Sequence, residues 1–435
     1  MKVSRWLTLI NVPDGGTLAW SSYTGALAKV NAEFLSVIEA LKTGYEIDTS
    51  SALVREMLRC GFIAEDDTDE LSLYGALIER EKHRKDTLKL VIAPTLSCNF
   101  SCPYCFEHHR DVKMSAAVQN AITDYVNQKL NPGMGGLRFF SVVWYGGEPL
   151  LEKDIIAGLS EAFLKMSSPY GVRYSASIIT NGYLVDEDTA KLLKDCDVSF
   201  AQVTVDGSHE VHNKRRILRA SPSEGTYGRI IEGINFLEAS GIKVTVRMNI
   251  DRENSEETER NIASLAKVIK DKSKVSFSPG LVTDYDGGEK SSACLTKEEY
   301  GHVILECIKH CKAHGLHFSP KSSRPKLRAS YCTATLPGSF VIDPEGFVYK
   351  CWNDIGIKEY SIGTVDGLAS GHESSEWESY SQMDYETCRD CGLLPVCAGG
   401  CPRGCVHSGG LPECESFKYV LDDLLIFQAE GGEVK

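Results

Sequence analysis

The chain has 435 residues, 42% of them hydrophobic, enough for a sizeable core and for roughly two to four domains. Its net charge of -13 disfavours a nucleic-acid partner, because phosphate backbones are bound by basic stripes and none is visible. No signal-peptide pattern and no apolar run of membrane-spanning length is present, so a cytoplasmic protein without membrane association is expected, and 16 cysteines there read as metal or redox chemistry rather than as disulfides.

Residues 1–66 read as a separate small module. Val3–Ile10 and Thr17–Ser21 are strand-like, split by the turn Pro13-Asp14-Gly15-Gly16, and Gly25–Val30 is a third short strand. Asn31 caps the periodic run Phe34, Val37, Ile38, Leu41. Thr49 or Ser50 caps Ala52, Leu53, Met57, Leu58, which ends at Gly61. The pattern looks like a small winged-helix fold, with Cys60 as a core thiol. Residues 67–86 are read as a linker, in which the charged stretch Glu79–Lys85 suits a solvated connector or a bridging helix.

Residues 87–290 alternate strand and helix. Strand-like runs are Leu88–Ala93, Phe139–Tyr145, Arg173–Thr180, Phe200–Asp206, Lys243–Ile250 and Val275–Ser278, with amphipathic helices between them near Ser115–Lys129, Asp154–Lys165, Asp186–Lys194, Tyr227–Ser240 and Ser255–Ile269. This implies an α/β fold with a parallel sheet, and the periodicity alone leaves a doubly wound open sheet and a barrel both possible.

The first of these strands runs into Cys98, Cys102 and Cys105, three thiols spaced C-x3-C-x2-C. A [4Fe-4S] cube has four irons, so three local thiolates leave one iron for a ligand that is not protein. Zinc sites normally close with a fourth Cys or His at knuckle spacing, and a zinc knuckle or three unrelated core thiols is the bland alternative. The spacing, with aromatic Tyr104 before the third Cys, resembles the radical S-adenosylmethionine (SAM) superfamily, in which the unique iron chelates SAM and an electron cleaves it to a 5′-deoxyadenosyl radical. That resemblance implies a partial (β/α)6 TIM-type barrel with its site at the strand C-terminal ends. It also implies SAM-binding roles, Tyr104 among them. Gly146, Gly147 and Glu148, in Gly-Gly-Glu-Pro, match the element that takes the methionine amino group. Thr180 and Asn181 end the third strand, Thr204 and Asp206 the fourth, and both pairs resemble positions that line the SAM pocket. Arg216, four residues after His212, suits a carboxylate clamp, with Arg215 as its competitor. Arg247 and Asn249 alternate on the fifth strand and are expected at the barrel mouth. The bland alternative for such strand-end polar residues is turn chemistry and helix capping.

Residues 291–331 form a bridging region with a helix near Lys297–His314. Cys307 and Cys311 share an apolar face of it with Tyr300 and Val303, so packing explains them better than zinc. Cys196 and Cys294 carry no pattern. Residues 332–435 are Cys-rich, with a hairpin Phe340–Asp343 and Phe347–Tyr349, a last helix near Ser416–Phe427 and a tail expected to be disordered. Cys332, Cys351, Cys388, Cys391, Cys397, Cys401 and Cys414 resemble the seven-Cys signature of the SPASM extension of peptide- and sulfatase-maturing radical SAM enzymes. By that resemblance Cys388, Cys391, Cys397 and Cys414 hold one [4Fe-4S] cluster and Cys332, Cys351 and Cys401 another. The second set lacks a fourth Cys unless Cys405 supplies it. An open iron there would suit a substrate thiolate.

The N-terminal module, read with this resemblance, looks like the precursor-peptide recognition domain of peptide-modifying relatives, the alternative being a structural cap. The whole implies a radical SAM enzyme with three [4Fe-4S] clusters and SAM, maturing a ribosomally made precursor peptide by a Cys sulfur-to-carbon thioether crosslink. A flavodoxin- or ferredoxin-type low-potential donor would supply electrons. The rivals are a carbon–carbon crosslinking or other oxidative maturase, including the sulfatase-maturase type, and a non-catalytic iron–sulfur electron carrier or sensor.

Overall fold

Alternation along the chain builds the central sheet. In β1 (Thr87–Ile92), Leu88, Leu90 and Ile92 are buried on one face while Thr87, Lys89 and Val91 turn to the other. The computed structural model describes residues 1–131, 136–284, 293–319, 325–369 and 375–431. The expected boundary at residues 290–291 and tail residues 432–435 lie outside the described residues. After β1 come β2 (Phe139–Trp144), β3 (Arg173–Thr180), β4 (Val198–Thr204), β5 (Lys243–Ile250) and β6 (Val275–Leu281), each parallel to the next. The crossovers are α1 (Ala116–Leu130), α2 (Lys153–Ser167), α3 (Glu187–Asp195), α4 (Tyr227–Ala239) and α5 (Thr258–Val268). Their apolar stripes, with Val126, Phe163, Leu193, Ile234 and Leu265, share one core with the sheet. Ser115 and Asp186 cap α1 and α3 by accepting from the Val118 and Thr189 N–H groups. This is the expected partial (β/α)6 arrangement.

The sheet is longer than the sequence suggested. β6 runs past Ser278 through Pro279 and Gly280. Its outer neighbour, the short strand His317–Phe318, pairs only with Ser276 and Phe277, so the missing N–H of Pro279 faces no partner strand. At the other edge Ser339–Ile342 lies parallel to β1, and Phe347–Tyr349 and Gly363–Thr364 follow antiparallel, giving a ten-stranded open arc. The hairpin expected in the Cys-rich region is therefore part of the barrel sheet. Gly338 permits the approach: a Cβ there would sit 2.3 Å from the Thr87 carbonyl oxygen.

The N-terminal module departs from expectation in two details. Val3–Ile10 is not one strand, because Ser4–Trp6 turns, with the Leu7 N–H bonded to the Ser4 carbonyl. Lys2–Val3 pairs with Ile63–Ala64, whereas Leu7–Asn11, Thr17–Ser21 and Leu27–Val30 form an antiparallel sheet in that order. The cap of helix Ala52–Arg59 is Ser51, whose hydroxyl accepts from the Leu53 N–H, rather than Thr49 or Ser50. Helix Ala32–Thr43 is capped by Asn31 as expected. One face of the sheet packs on these helices through Ala19, Phe34, Ile38 and Met57. The other places Ile10, Leu18 and Trp20 against Val396, Leu421 and Leu425. Within residues 67–86, Glu70–Lys82 is a helix whose Tyr74 is fully buried and donates to the Leu394 carbonyl, so its first half is packed structure, while the charged stretch Glu79–Lys85 at its end is exposed or half-buried.

Helix α6 (Lys297–His314) has the expected limits, set by a Thr296/Glu299 capping box and by left-handed Gly315, with Cys307 and Cys311 in the core. The last α-helix is Leu421–Glu430, later than expected, because Ser416–Val420 coils as a 3-10 turn. Among the described residues no helix is long and apolar enough to cross a membrane.

Candidate active site

The loop after β1 carries Cys98, Cys102 and Cys105 into a cavity of about 270 Å3 at the C-terminal ends of the strands. Its backbone is held by the Ser101 N–H on the Ile217 carbonyl at 2.9 Å and by buried Phe100, edge-on to Tyr183 at 5.7 Å. Gly146 and Gly147 bring the end of β2 against this loop. A Cβ at either would lie 2.3 Å from a loop carbonyl oxygen, of Thr95 and Ser97 respectively, and Gly146 has φ +113°. Both glycines line the cavity.

Glu148 does not. Its side chain is fully buried behind the glycines, and its oxygens accept from the Leu150 N–H (3.0 Å), the Thr180 hydroxyl (2.7 Å) and the Asn181 N–H (2.7 Å). Burial raises its pKa, against the pull of these donors. In this arrangement Glu148 shapes the turn that presents Thr180 and Asn181 to the cavity rather than offering a free carboxylate.

Asp206 is likewise buried under the wall. It accepts from the Tyr104 hydroxyl and from the Asn249 N–H at 2.8 Å. Arg216 donates to the Tyr104 oxygen at 3.0 Å and lines the cavity with Asn181, Thr204 and Asn249. Of the two arginines, Arg215 is held by Asp251 through two contacts of 2.7 and 3.1 Å, whereas Arg216 lines the cavity. His212 accepts the Asp206 N–H on Nδ1 at 3.2 Å, and burial holds it well below its ordinary pKa, so it supports the turn as a neutral ring. Arg247 and Asn249 do face the cavity, bonded to each other at 2.8 Å.

The seven downstream cysteines fall into two groups. Cys332, Cys351 and Cys401 bear on one another's charge. Cys388 senses Cys391 and Cys414, and Cys397 senses Cys414. Cys405 is buried, with Tyr380 and Tyr385 as hydrogen-bonding neighbours of its thiol.

One local device recurs in all three groups. The N–H two residues on donates to a cysteine sulfur at 3.4 Å: Phe100 to Cys98, Ala334 to Cys332, Leu393 to Cys391. Lys418 adds its ammonium to Cys414 at 3.3 Å. Donors of this kind favour sulfur carrying negative charge and tune iron–sulfur centres. Burial first, and Glu148 and Glu107 second, push Cys98 and Cys105 up to about 12, so ionised thiols there need a strong cationic partner. Among the described residues no three His, Cys, Asp or Glu side chains converge as for a single metal ion, which does not suit a zinc site. The donor set fits a cluster that offers each thiolate its own iron.

Sequence reasoning missed several groups. Glu107, Tyr145, Trp352 and Asn353 line the cavity, and burial pushes the Glu107 carboxyl up to about 8. Asp354 is fully buried, accepting from Arg403 and His407 at 2.8 Å each. None of these lies in a spaced motif; only the position of Trp352 and Asp354 just after Cys351 hinted at them.

Residues 92–266 match the protein family described as the Radical SAM superfamily. The chain carries the domain of a radical SAM enzyme. Around that domain, 76% of the chain is similar to 94% of a cysteine-type anaerobic sulfatase-maturating enzyme of Clostridium novyi (strain NT), at 25% identity over 370 residues. The fold is also that of native anSMEcpe with bound AdoMet and Cp18Cys peptide, at TM-score 0.60 and 20% identity, covering 80% of this chain and 98% of that one. Streptococcus suis SuiB bound to precursor peptide SuiA covers more of the chain, 95% against 98% of its own, at TM-score 0.55 and 15% identity. The radical SAM domain thus sits within a likeness of fold that extends over both flanking regions.

Proposed function

We propose that the protein matures a ribosomally made precursor peptide, joining a peptide cysteine sulfur to a carbon as a thioether. In this reading Cys98, Cys102 and Cys105 hold the SAM-cleaving [4Fe-4S] cluster, and Tyr104, Gly146, Gly147, Thr180, Asn181, Thr204 and Arg216 seat SAM, with Glu148 and Asp206 holding that wall in shape. When bound, these cofactors supply a 5′-deoxyadenosyl radical that takes hydrogen from carbon. Cys388, Cys391, Cys397 and Cys414 hold a second cluster; Cys332, Cys351 and Cys401 hold a third with one iron left for a substrate thiolate. What supports the thioether reading is that Cys332 and Cys351 pack together with Cys401 acting on both, three thiols where a closed cube takes four. A low-potential flavodoxin- or ferredoxin-type protein is the electron donor in this scheme.

The N-terminal module supports a peptide substrate. Leu27–Val30 is a sheet edge, and with helix Ala52–Arg59 it borders a groove of about 920 Å3 floored by Phe34, Leu53, Met57 and Phe62. An extended leader segment can add to such an edge as a strand and place alternate side chains in the groove.

Anaerobic co-expression with cysteine-bearing peptides encoded by neighbouring short reading frames tests the proposal. We expect a peptide that has lost two hydrogens and whose cysteine no longer alkylates. A cysteine oxidised without a crosslink would favour the activity for which the Clostridium novyi relative is named, and unmodified peptides throughout would defeat the maturase reading.

A further inference from the structure

Residues 351 and 352 are neighbours in the chain but belong to different sites. Cys351 is buried with Cys332 and Trp377, whereas Trp352 lines the cavity of Cys98, Cys102 and Cys105 and keeps 43% of its surface exposed. Its indole lies 5.8 Å from the ring of Tyr145, tilted by 31°. The turn carrying it, Trp352–Asp354, is firmly anchored. Asp354 is fully buried and accepts from Arg403 and His407 at 2.8 Å each, and His407 is stacked on Tyr360 at 4.1 Å.

An indole exposed on a cavity wall, in a turn fixed this well from behind, is not there to fill core. Thr180, Asn181, Thr204 and Arg216 give the cavity its polar groups, while Tyr145 and Trp352 give it an aromatic surface. Such a surface recognises flat or apolar groups by contact and area burial. We propose that Trp352 is a substrate-positioning residue: its indole receives an apolar side chain of the substrate peptide at the reacting position. The carbon to be attacked is thereby held in the cavity, while the backbone turn keeps it one residue from the Cys351 group. This rests on the peptide-maturase reading and adds a preference, that the residue acquiring the bond, or its immediate neighbour, is apolar. Holding two reacting atoms in register is a large part of what a site for radical coupling must do.

The test compares Trp352→Ala and Trp352→Phe in the full-length, cluster-loaded protein, with synthetic peptides encoded by the neighbouring short reading frames as probes. For Trp352→Ala we expect peptide KM to rise about tenfold, the change that loss of one good aromatic contact brings. More 5′-deoxyadenosine should also be released per modified peptide. Trp352→Phe should recover most of both, and iron content should match the parent in each variant. Unchanged KM and unchanged ratio in Trp352→Ala would overturn the proposal, as would equal losses in both variants accompanied by loss of iron, which would mark a purely structural turn. If no peptide is modified by the parent protein, the maturase reading fails first, and that outcome is distinct from a parent that works and a Trp352→Ala variant that works equally well.

Discussion

The Glu148 carboxylate accepts the backbone N–H of Asn181 at 2.7 Å, and with it ties the end of β2 to the end of β3. The same side chain receives the Thr180 hydroxyl and the Leu150 N–H. Removing it leaves three buried donors without their acceptor, each worth about 1–3 kcal/mol. Glu148→Ala should therefore lower the thermal midpoint markedly and weaken SAM binding, with Glu148→Gln milder because its amide oxygen can keep part of the set. Calorimetry and equilibrium binding of labelled SAM would check this; a fully stable Glu148→Ala protein would show that the turn does not depend on the carboxylate.

Cysteine substitutions should divide along the three groups. Replacing Cys98, Cys102 and Cys105 together with Ala should remove about four irons of about twelve and abolish SAM cleavage. Cys401→Ala should lose the iron of the Cys332 group and the product with it. Cys405→Ala should lose neither. Iron analysis and electron paramagnetic resonance read each case directly, and a missing cluster in Cys405→Ala would make Cys405 a ligand after all.

The N-terminal module is best probed within the groove rather than by deletion. Removing residues 1–66 would bare Val396, Leu421 and Leu425, which pack on Ile10, Leu18 and Trp20, and would confuse recognition with folding. Leu53 is half-buried on the groove floor. Placing a charge there, as Leu53→Glu, should reduce leader-peptide affinity by about tenfold or more while leaving the iron content unchanged, since an apolar side chain contributes about 1.5–3 kcal/mol on burial. Fluorescence anisotropy with a labelled leader would detect it.

Glu107 carries a pH dependence. Its carboxyl is raised by burial from an ordinary 4.5 to about 8, so the folded chain holds a proton that the unfolded chain releases. Stability contributed by the protonated form is complete below the unfolded value, declines as the pH rises, and is gone once the folded value of about 8 is passed. Glu107→Gln should flatten the thermal midpoint between pH 4.5 and 8. Parallel pH profiles of the two proteins would exclude Glu107 as the source.

What the sequence made legible is what local spacing encodes. The three-thiol loop, the strand-end glycines and the Asn31 cap are all set within a few residues of chain. Periodicity gave the six barrel strands for the same reason. The partnership of Arg215 with Asp251 could not be read that way, nor could the burial of Glu148 away from the cavity, because each depends on chain segments that meet only in the folded protein. Trp352 lies in no spaced motif, and the turn behind it is fixed through Asp354 by Arg403 and His407, which reach it only in the folded protein.

The strand Ser339–Ile342 has a consequence for how the protein is made. It pairs along β1, with Ser339 opposite Lys89, so the strand leading into the first three-thiol loop keeps one bare edge until residue 342 has left the ribosome. Pairing over such a separation is slow to form, and an open edge invites association with other chains in the interval. The nascent barrel therefore depends on the Cys-rich third for its own closure. Versions ending before residue 339 should accumulate as aggregates even when every residue of the first thiol group is present.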